Sequence, residues 1–414
     1  WLGEVVGKEG EDLSRHDKWL CMMYPRLVLL QKLLAEDGAI FISIDDNEHA
    51  NLLLVCNEIF GSNNFIQDII WNKRVSPARD AKFFSTDHEY ILVYSKNKES
   101  LTTHFLPRTE KNNSYYKNPD NDPRGPWNSA AYTCNKSRDE RPNLYYPITN
   151  PYTGEKIFPK ESAVWAYSEE TYQQHVRDNL LYWGVNGEAK QPRKKAFLSE
   201  VGDVVPRSVW SHSDVGSTQK ATMENNTIFN MRAFSYPKVS TLVERIIQIA
   251  SDKDSIVLDS FAGSGTTAHA VLNMNKSDGG NRKFILVEMG DYADTITAER
   301  VKRVINGYGE GKNAVEGTGG NFSYYELGNP LFMQDGTIND EVDITEVRKY
   351  VWYTETNGIE YKEDIQEKYF LGSYNDTAYY FYYEKDRVTI LDYEFLTSVH
   401  KKEQTYVMYA DSCA

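Results

Sequence analysis

The sequence has 414 residues, of which 40% are hydrophobic, and this length allows two or three domains with cores of their own. The formal net charge is −14, and no run of eighteen apolar residues occurs, so we expect neither a membrane span nor a signal peptide. The four cysteines stand far apart without metal-ligand spacing, which predicts a reducing compartment, a cytoplasmic location and no zinc site.

The first hundred residues combine helix and strand patterns. Residues 1–17 are polar and aperiodic, which indicates a loop. Apolar residues at helical spacing predict a helix over residues 18–34, with Pro25 inside it. We expect strands at 39–44, 65–71 and 88–94, and a helix at 48–60. Residues 1–100 therefore read as the first part of an α/β domain.

The composition changes near residue 100, where Asn, Pro, Tyr and Lys crowd together. Short strands and turns, with one helix at residues 168–179, predict an inserted domain over residues 101–207. Residues 72–207 contain 21 Lys and Arg against 17 Asp and Glu, a net charge of +4. Such a segment suits DNA, because cations bind phosphates and planar polar groups contact base edges. The candidate DNA contacts are Arg124, Arg193, Lys194 and Lys195. The competing interpretations are a solvated basic turn and aromatic residues that fill a small core.

The most informative segment follows a predicted loop at residues 211–226 and a predicted helix at 240–251. An apolar run at residues 256–258 predicts a buried parallel strand, which ends at Asp259. A turn with two glycines leads into a predicted helix at 266–272, and glycines let a ligand approach the backbone closely. The next strand, residues 283–287, ends at Glu288, whose carboxylate could accept hydrogen bonds from both hydroxyls of a ribose.

The last quarter of the chain carries a different charge. A helix is predicted at 298–305, a mobile glycine-rich segment at 307–320 and a strand at 322–327. Residues 335–414 have 8 basic against 17 acidic residues, which disfavours DNA and favours contact with a subunit or another protein. In this tail we expect strands at 378–383, 388–391 and 405–409, and a helix at 393–400. The aromatic run at 379–383 is interpreted as a packed strand rather than a base-stacking surface.

Residues 259–267, Asp-Ser-Phe-Ala-Gly-Ser-Gly-Thr-Thr, resemble the S-adenosylmethionine motif of amino-methylating DNA methyltransferases. Phe-Ser-Tyr-Pro-Lys at 234–238 and Ile-Asp-Asp-Asn-Glu at 44–48 resemble two further segments of that family. The arrangement is similar to the modification (Mod) subunits of type III restriction-modification systems. The resemblance implies a Rossmann-like α/β methyltransferase sheet with permuted motif order. It also implies a target recognition domain at 101–207, a cofactor-binding part at 208–330 and a small α+β accessory domain at 331–414.

The resemblance further implies S-adenosyl-L-methionine as the cofactor and no metal. In that family the glycine turn lines the methionine and adenosine parts, and the hydroxyls at the start of the helix can donate hydrogen bonds to the cofactor carboxylate. The implied cofactor residues are Asp259, Phe261, Ala262, Gly263, Ser264, Gly265, Thr266, Thr267, Glu288, Pro237 and Lys238. His269 is interpreted as packed on the helix rather than chemical.

The implied reaction is methylation of adenine N6 in duplex DNA, with a homodimer of Mod subunits and a restriction (Res) subunit as expected partners. The family's catalytic tetrapeptide, Asp/Asn/Ser-Pro-Pro-Tyr, is absent from the 414 residues, so we assign no catalytic residue. In the permuted order this tetrapeptide precedes everything present, and we expect a fragment that does not methylate DNA by itself. The alternatives are a cytosine-N4 methyltransferase, a DNA-binding specificity fragment that keeps a cofactor pocket, and a Rossmann oxidoreductase.

Overall fold

The computed structural model describes residues 15–362 and 367–414, in which the chain divides into two compact units. The second unit is Phe322–Ala414, and the other described residues belong to the first. None of the helices in these two ranges combines the length and hydrophobicity needed to cross a bilayer. Residues 1–14 of the predicted N-terminal loop lie outside the described residues, and its last three residues are helical.

The first part of unit 1 follows the predicted order of elements. It contains α1 (Arg15–Leu33), β1 (Ala39–Ile44), α2 (His49–Cys56) with a π-helical continuation (Asn57–Gly61), β2 (Phe65–Asn72) and β3 (His88–Ser95). Together with β11 (Val209–Trp210) the strands form a mixed sheet in the order β1-β3-β2-β11. β3 is antiparallel to both neighbours, and β2 is parallel to β11. One core of this part joins Trp19, Leu27 and Leu52 to Leu92 of β3.

The segment between β3 and β11 has a core of its own. Its helices are α3 (Glu110–Asn113) and α4 (Glu169–Arg177), and its strands are β4 (Trp127–Ala131), β5 (Thr133–Cys134), β6 (Ile148–Thr149), β7 (Lys156–Ile157), β8 (Val164–Trp165), β9 (Leu181–Tyr182) and β10 (Arg193–Phe197). Three of them form the sheet β4-β10-β9. The core contains Tyr132, Trp165, Tyr172 and Trp183, so many aromatic residues of this segment are structural.

The loop predicted for residues 211–226 is wrong. The structure has α5 (His212–Val215) and α6 (Thr218–Phe229) there, and the Ser217 hydroxyl caps α6 by accepting a hydrogen bond from the Lys220 N–H. Ala221, Asn225 and Ile228 recur at helical spacing and are buried. The polar residues between them hide this face in the sequence, so tertiary packing rather than composition decides the helix.

The cofactor half of unit 1 confirms the predicted strand, turn and helix. It comprises α7 (Ser240–Ala250), β12 (Ile256–Asp259), α8 (Thr266–Asp278), β13 (Lys283–Leu286) and α9 (Glu299–Asn306), with a π-helical turn before α9 (Ala293–Ala298). β12 and β13 pair in parallel. The predicted burial of residues 256–258 is wrong, because Ile256 is 64% exposed. The packed face of this pair carries Val257 and Phe284, which contact the core of α7 and α8.

The remaining elements agree with the sequence in part. β14 (Gly307–Tyr308) and β15 (Val315–Glu316) form a hairpin in the glycine-rich segment predicted as mobile. The strand predicted at 322–327 is wrong, since residues 321–330 have no regular structure and Leu327 is fully exposed.

Unit 2 contains α10 (Ile344–Glu355), β16 (Phe370–Tyr374), β17 (Thr377–Phe381), β18 (Ile390–Leu391), α11 (Tyr393–Thr397), β19 (Thr405–Tyr409) and β20 (Ser412–Cys413). The order in its main sheet is β16-β17-β19. Tyr379 and Tyr380 of β17 are buried, which confirms the packed-strand interpretation. The sequence did not predict α10 or β16.

Candidate cofactor-binding site

The turn between β12 and α8 depends on two glycines in the left-handed region. Gly263 has a φ of 52° and Gly265 a φ of 79°, conformations that other residues adopt only with strain. A Cβ at Gly265 would stand 2.9 Å from the carbonyl oxygen of Thr297, closer than real contacts allow. The Gly265 N–H donates to the Ala262 carbonyl at 2.8 Å and closes the turn. This backbone therefore requires glycine at Gly265.

Glu288 lies directly against this turn, as its place after β13 predicts. Its Oε2 accepts a hydrogen bond from the Gly263 N–H at 2.7 Å. Its Oε1 accepts from the N–H groups of Met289 and Gly290 at 2.9 and 2.8 Å. A carboxylate has about four acceptor positions, so the two oxygens retain capacity for a ligand's hydroxyl groups. The acid and the glycine turn thus form one unit at the carboxyl ends of β12 and β13.

Asp259 organises the start of the turn from within. One carboxylate oxygen accepts from the Phe261 N–H at 3.1 Å, and the other accepts from the Thr267 hydroxyl at 2.5 Å. The Thr266 hydroxyl donates to the Lys238 carbonyl at 3.2 Å. Each hydroxyl has a single proton to donate, so the expectation that both threonine hydroxyls donate to a cofactor carboxylate is not met. The first-turn N–H groups of α8, which have no helical acceptor, are the donors suited to an anionic group.

The Ser-Tyr-Pro-Lys segment lies beside the turn through its backbone rather than its charge. Pro237 is buried, and the carbonyl of Lys238 receives the Thr266 hydrogen bond. The Lys238 ammonium pairs with the Glu89 carboxylate and lies 5.2 Å from the centre of the Trp71 ring. Burial alone would raise the pKa of Glu89, but the ammonium groups of Lys238 and Lys73 lower it. The cation of Lys238 is therefore engaged within the protein.

A buried polar network behind the turn was missed by the sequence reading. The Arg300 guanidinium donates to the hydroxyls of Ser264 and Thr266 at 2.9 and 2.8 Å and to Glu224 Oε1 at 2.8 Å. His269 Nδ1 lies 3.0 Å from the same Glu224 oxygen, so this histidine is packed, as its interpretation predicted. The other Glu224 oxygen accepts from the N–H and hydroxyl of Ser240.

The charges of this network are mutually stabilised. Burial would raise the pKa of Glu224, yet the hydrogen bond with His269 and the positive charge of Arg300 lower it to about 2. Arg300 comes from α9 and Glu224 from α6, which the sequence reading took for a loop, so no local pattern connects them. The network fixes Ser264 and Thr266 from the side of the protein interior.

Two aromatic rings flank the outer side of the turn. Phe234 and Tyr292 meet edge to face with ring centres 5.4 Å apart. A Cβ on Gly263 would lie 3.5 Å from the Phe234 ring, so this ring borders the glycine turn. Burial and the neighbouring Glu288 carboxylate raise the pKa of Tyr292. Phe261 is exposed on the same loop. The only sequence signal for Tyr292 was its position four residues after Glu288.

The basic residues proposed for DNA contact behave differently from one another. Lys195 is buried, and its ammonium lies 2.5 and 2.8 Å from carboxylate oxygens of Asp120 and Asp122. The structure therefore contradicts a phosphate contact by Lys195, because its charge is neutralised in the interior.

Arg193, Lys194 and Arg124 lie nearer the surface. Arg193 is exposed and donates to the side chain and carbonyl of Ser129. The Lys194 ammonium lies 5.1 Å from the centre of the Tyr167 ring. Arg124 is exposed but holds Asp122 at 2.8 Å and two backbone carbonyls, and its hydrogen bond is the main cause of the low pKa of Asp122.

Within residues 15–362 and 367–414, no group of three or more His, Cys, Asp and Glu side chains could hold a metal ion.

Comparison with known proteins gives a consistent class. A family model described as DNA methylase matches residues 5–299. The chain is 36% identical over 318 residues to the StyLTI Mod subunit of Salmonella typhimurium, a type III restriction-modification enzyme, covering 73% of this chain and 47% of that protein. It is 31% identical over 323 residues to the EcoPI Mod subunit of Escherichia phage P1, covering 69% and 49%. The chain thus spans about half the length of these Mod subunits.

Other similar proteins include a type II enzyme and solved structures. The identity to the type II methyltransferase M.KpnI of Klebsiella pneumoniae is 33% over 292 residues, covering 66% of this chain and 67% of that protein. The cytosine-N4-specific PvuII DNA methyltransferase aligns with a TM-score of 0.37 and 13% identity, over 71% of this chain and 74% of that one. The complex of M1.HpyAVI with S-adenosyl-L-methionine gives 0.34 and 15%, over 68% and 83%.

Proposed function

The chain belongs to the DNA methylase family, and we propose that it binds S-adenosyl-L-methionine at the turn between β12 and α8 for methyl transfer to adenine N6 in duplex DNA. The observation that carries this proposal is the contact of Glu288 with the Gly263 N–H at the carboxyl ends of two parallel strands. Ligands bind at this edge of open α/β sheets, and an acid there suits ribose hydroxyls.

The residues present fit this cofactor in charge and shape. Glu288 would accept hydrogen bonds from the ribose hydroxyls, while the first-turn N–H groups of Thr266 and Thr267 would receive the methionine carboxylate. Asp259, Phe261, Ala262, Gly263, Ser264 and Gly265 would form the wall of the site, with Pro237 and Lys238 at the methionine end. The bound cofactor supplies an electrophilic methyl group, and methyl transfer from a sulfonium needs no metal.

We propose that residues 101–207 are a target recognition domain inserted into a methyltransferase domain whose motif order is permuted. Two observations support this: the segment from β4 to β10 has its own hydrophobic core, and the cofactor strand β12 follows it in the chain. Arg193 and Lys194 would contact DNA phosphates, and Arg124 would contribute charge at the same surface. Residues 331–414 would form an accessory domain for contact with other proteins.

The partners proposed here follow from the Mod subunits that the chain resembles. Duplex DNA is the substrate, a second Mod subunit would form a homodimer, and a restriction (Res) subunit would accompany it in the cytoplasm. Accordingly, the chain would act in site-specific DNA methylation within a restriction-modification system.

A second candidate function rests on one sequence observation. Asp/Asn/Ser-Pro-Pro-Tyr does not occur in the 414 residues, and we assign no residue to accept the amino protons of the target base. The chain would then bind cofactor and DNA without transferring the methyl group. Cytosine N4 is the alternative target atom, since the tetrapeptide that would discriminate the two bases is not in the sequence.

Titration calorimetry with S-adenosyl-L-methionine and, separately, NAD tests the proposal. We expect binding of the first and none of the second. Glu288→Gln should weaken cofactor binding roughly tenfold or more, because it removes the charge from a hydrogen bond to the ribose. Asp291→Asn, at an exposed acid nearby, is the matched control and should bind as the wild type does. Binding of NAD, or equal binding by the Glu288 variant, would contradict the assignment. Transfer of a labelled methyl group to DNA by this chain would exclude the second candidate.

A further inference from the structure

The loop between β2 and β3 presents two phenylalanines to solvent. Phe83 and Phe84 are 83% and 93% exposed, the highest values of any phenylalanine among the described residues. Full burial of such a side chain is worth about 1.5–3 kcal/mol, so two adjacent rings at one loop tip are costly to leave in water. Large exposed apolar groups of this kind mark interaction sites more often than chance.

The loop is held in a defined shape at its base. The Lys73 N–H donates to the Asp87 carbonyl at 2.9 Å, and the Thr218 N–H donates to the Lys73 carbonyl at 3.0 Å. Nearer the tip, the Ser85 hydroxyl accepts from the Ala78 N–H at 2.7 Å and donates to Asp87. The two rings are therefore carried on an anchored loop.

The base of the loop lies next to the candidate cofactor site. The Lys73 ammonium is 3.0 Å from Glu89, and the other oxygen of Glu89 pairs with Lys238. Lys238 in turn accepts the Thr266 hydrogen bond through its carbonyl at 3.2 Å. Three contacts thus connect the loop to the first residue of α8. Whatever the loop binds lies beside the place where the cofactor is proposed to bind.

The charge of the loop indicates what it binds. Residues 73–87 carry four basic residues against two acidic ones, in a chain whose net charge is −14. Arg74, Arg79 and Lys82 are exposed, and the Lys82 ammonium lies 5.3 Å from the centre of the Phe83 ring. Cations beside exposed aromatic rings suit a polyanion that also offers flat apolar faces, which describes stacked bases between phosphates. An apolar protein surface would satisfy the rings but not the cations.

We propose that Phe83 and Phe84 form a wedge that enters duplex DNA and occupies the space left when the target base leaves the stack, while Arg79 and Lys82 contact the flanking phosphates. This inference rests on the proposed function, because chemistry on a base amine requires that base to leave the duplex. Apolar side chains inserted between base steps are a known way to offset unstacking. The wedge assigns a role to a loop that the cofactor site does not use.

Duplexes with 2-aminopurine at several adenine positions test the wedge without knowledge of the recognition sequence. Fluorescence of this base rises when it unstacks, and anisotropy of the same duplex reports affinity. We expect a fluorescence rise at saturating wild-type protein. Phe83→Ala with Phe84→Ala should abolish most of it and weaken duplex binding roughly tenfold, given typical base-stacking contributions. Trp at both positions should restore the rise, because indole rings also stack.

Two further variants separate stacking from charge and from general exposure. Lys82→Ala should lower affinity and the salt slope by about one, yet keep the fluorescence rise at saturation. Tyr393→Ala removes an equally exposed aromatic ring, 84% accessible, from unit 2 and should match the wild type.

Three results would overturn the wedge while the proposed function stands: an unchanged rise in the Phe83/Phe84 double variant, no rise with the wild-type protein bound to DNA, or loss of cofactor binding in the double variant. A change in self-association alone, with unstacking retained, would identify a protein partner instead and also reject the wedge. A wild-type chain that binds neither cofactor nor DNA would reject the proposed function itself.

Discussion

Asp259 shows how one side chain serves the cofactor site without facing outward. Its two oxygens hold the Phe261 N–H and the Thr267 hydroxyl, which fixes both ends of the glycine turn. We expect Asp259→Ala to abolish binding of S-adenosyl-L-methionine, measured by calorimetry, while the circular dichroism spectrum stays unchanged. Asp259→Asn keeps one carbonyl acceptor and should retain weak binding. Tight binding by the alanine variant would contradict the role of Asp259.

Gly265 allows strain and steric contact to be measured separately. Gly265→Ala must adopt a φ of 79° and place its Cβ 2.9 Å from the Thr297 carbonyl oxygen, so we expect a loss of about 2 kcal/mol or more in the free energy of unfolding. Gly279, at the other end of α8, has a φ of 68°, and no atom lies within 4 Å of the position that a Cβ would take there. Gly279→Ala should therefore cost only about 1 kcal/mol. Equal losses in urea denaturation would show that the contact with Thr297 is unimportant.

At the scale of elements, α6, α8 and α9 meet the glycine turn through the ion pair of Glu224 and Arg300. Breaking a buried pair on one side leaves an uncompensated charge, which costs about 3 kcal/mol or more. This pair joins residues 76 positions apart in the chain. It explains why the turn has one conformation although both of its glycines are intrinsically flexible.

The low pKa of Glu224 gives a signed pH dependence. Because the folded state holds this pKa at about 2, against an ordinary value of 4.5, its stabilisation is complete above about pH 5 and is lost as the pH falls through the folded pKa. We expect Glu224→Gln to lower stability at neutral pH and to flatten the decline between those two values, measured by urea denaturation across that range.

Glu299→Gln is the matched control for this measurement. Its pair with Arg303 lies on the surface of one helix at 2.7 Å, and such pairs contribute about 0.5 kcal/mol or less. Its pH profile should therefore follow that of the wild type. Parallel acid limbs for the wild type and the Glu224 variant would contradict the assignment of this titration to Glu224.

At the scale of the whole molecule, charge is segregated rather than averaged. The net charge of −14 conceals a basic segment, and within that segment only some cations face solvent. Arg193→Ala with Lys194→Ala should lower DNA affinity and reduce the salt slope by about two, since each phosphate contact contributes close to one. Lys195→Ala should leave the slope unchanged and instead destabilise the fold by about 3 kcal/mol, because Asp120 and Asp122 would lose their buried partner. An unchanged slope in the double variant would exclude phosphate contacts by both residues.

The sequence by itself determined the features that are local along the chain. The strand, glycine turn and helix around residues 256–278 were predictable, because left-handed φ values and strand ends are encoded by neighbouring residues. The position of Glu288 followed from the same repeat of strand and turn, and the resemblance to Mod subunits is confirmed by identities of 31 to 36%.

Only the tertiary structure decided which of those residues are free to act. The hydroxyls of Thr266 and Thr267 are engaged inside the protein, Lys195 is buried between two carboxylates, and α6 forms where the composition suggested a loop. The Arg300 network and the exposed Phe83–Phe84 pair were likewise invisible, because burial and long-range pairing depend on elements brought together from distant parts of the chain. A residue's type sets the chemistry it can perform, whereas its neighbours in space determine whether that chemistry is available to a ligand.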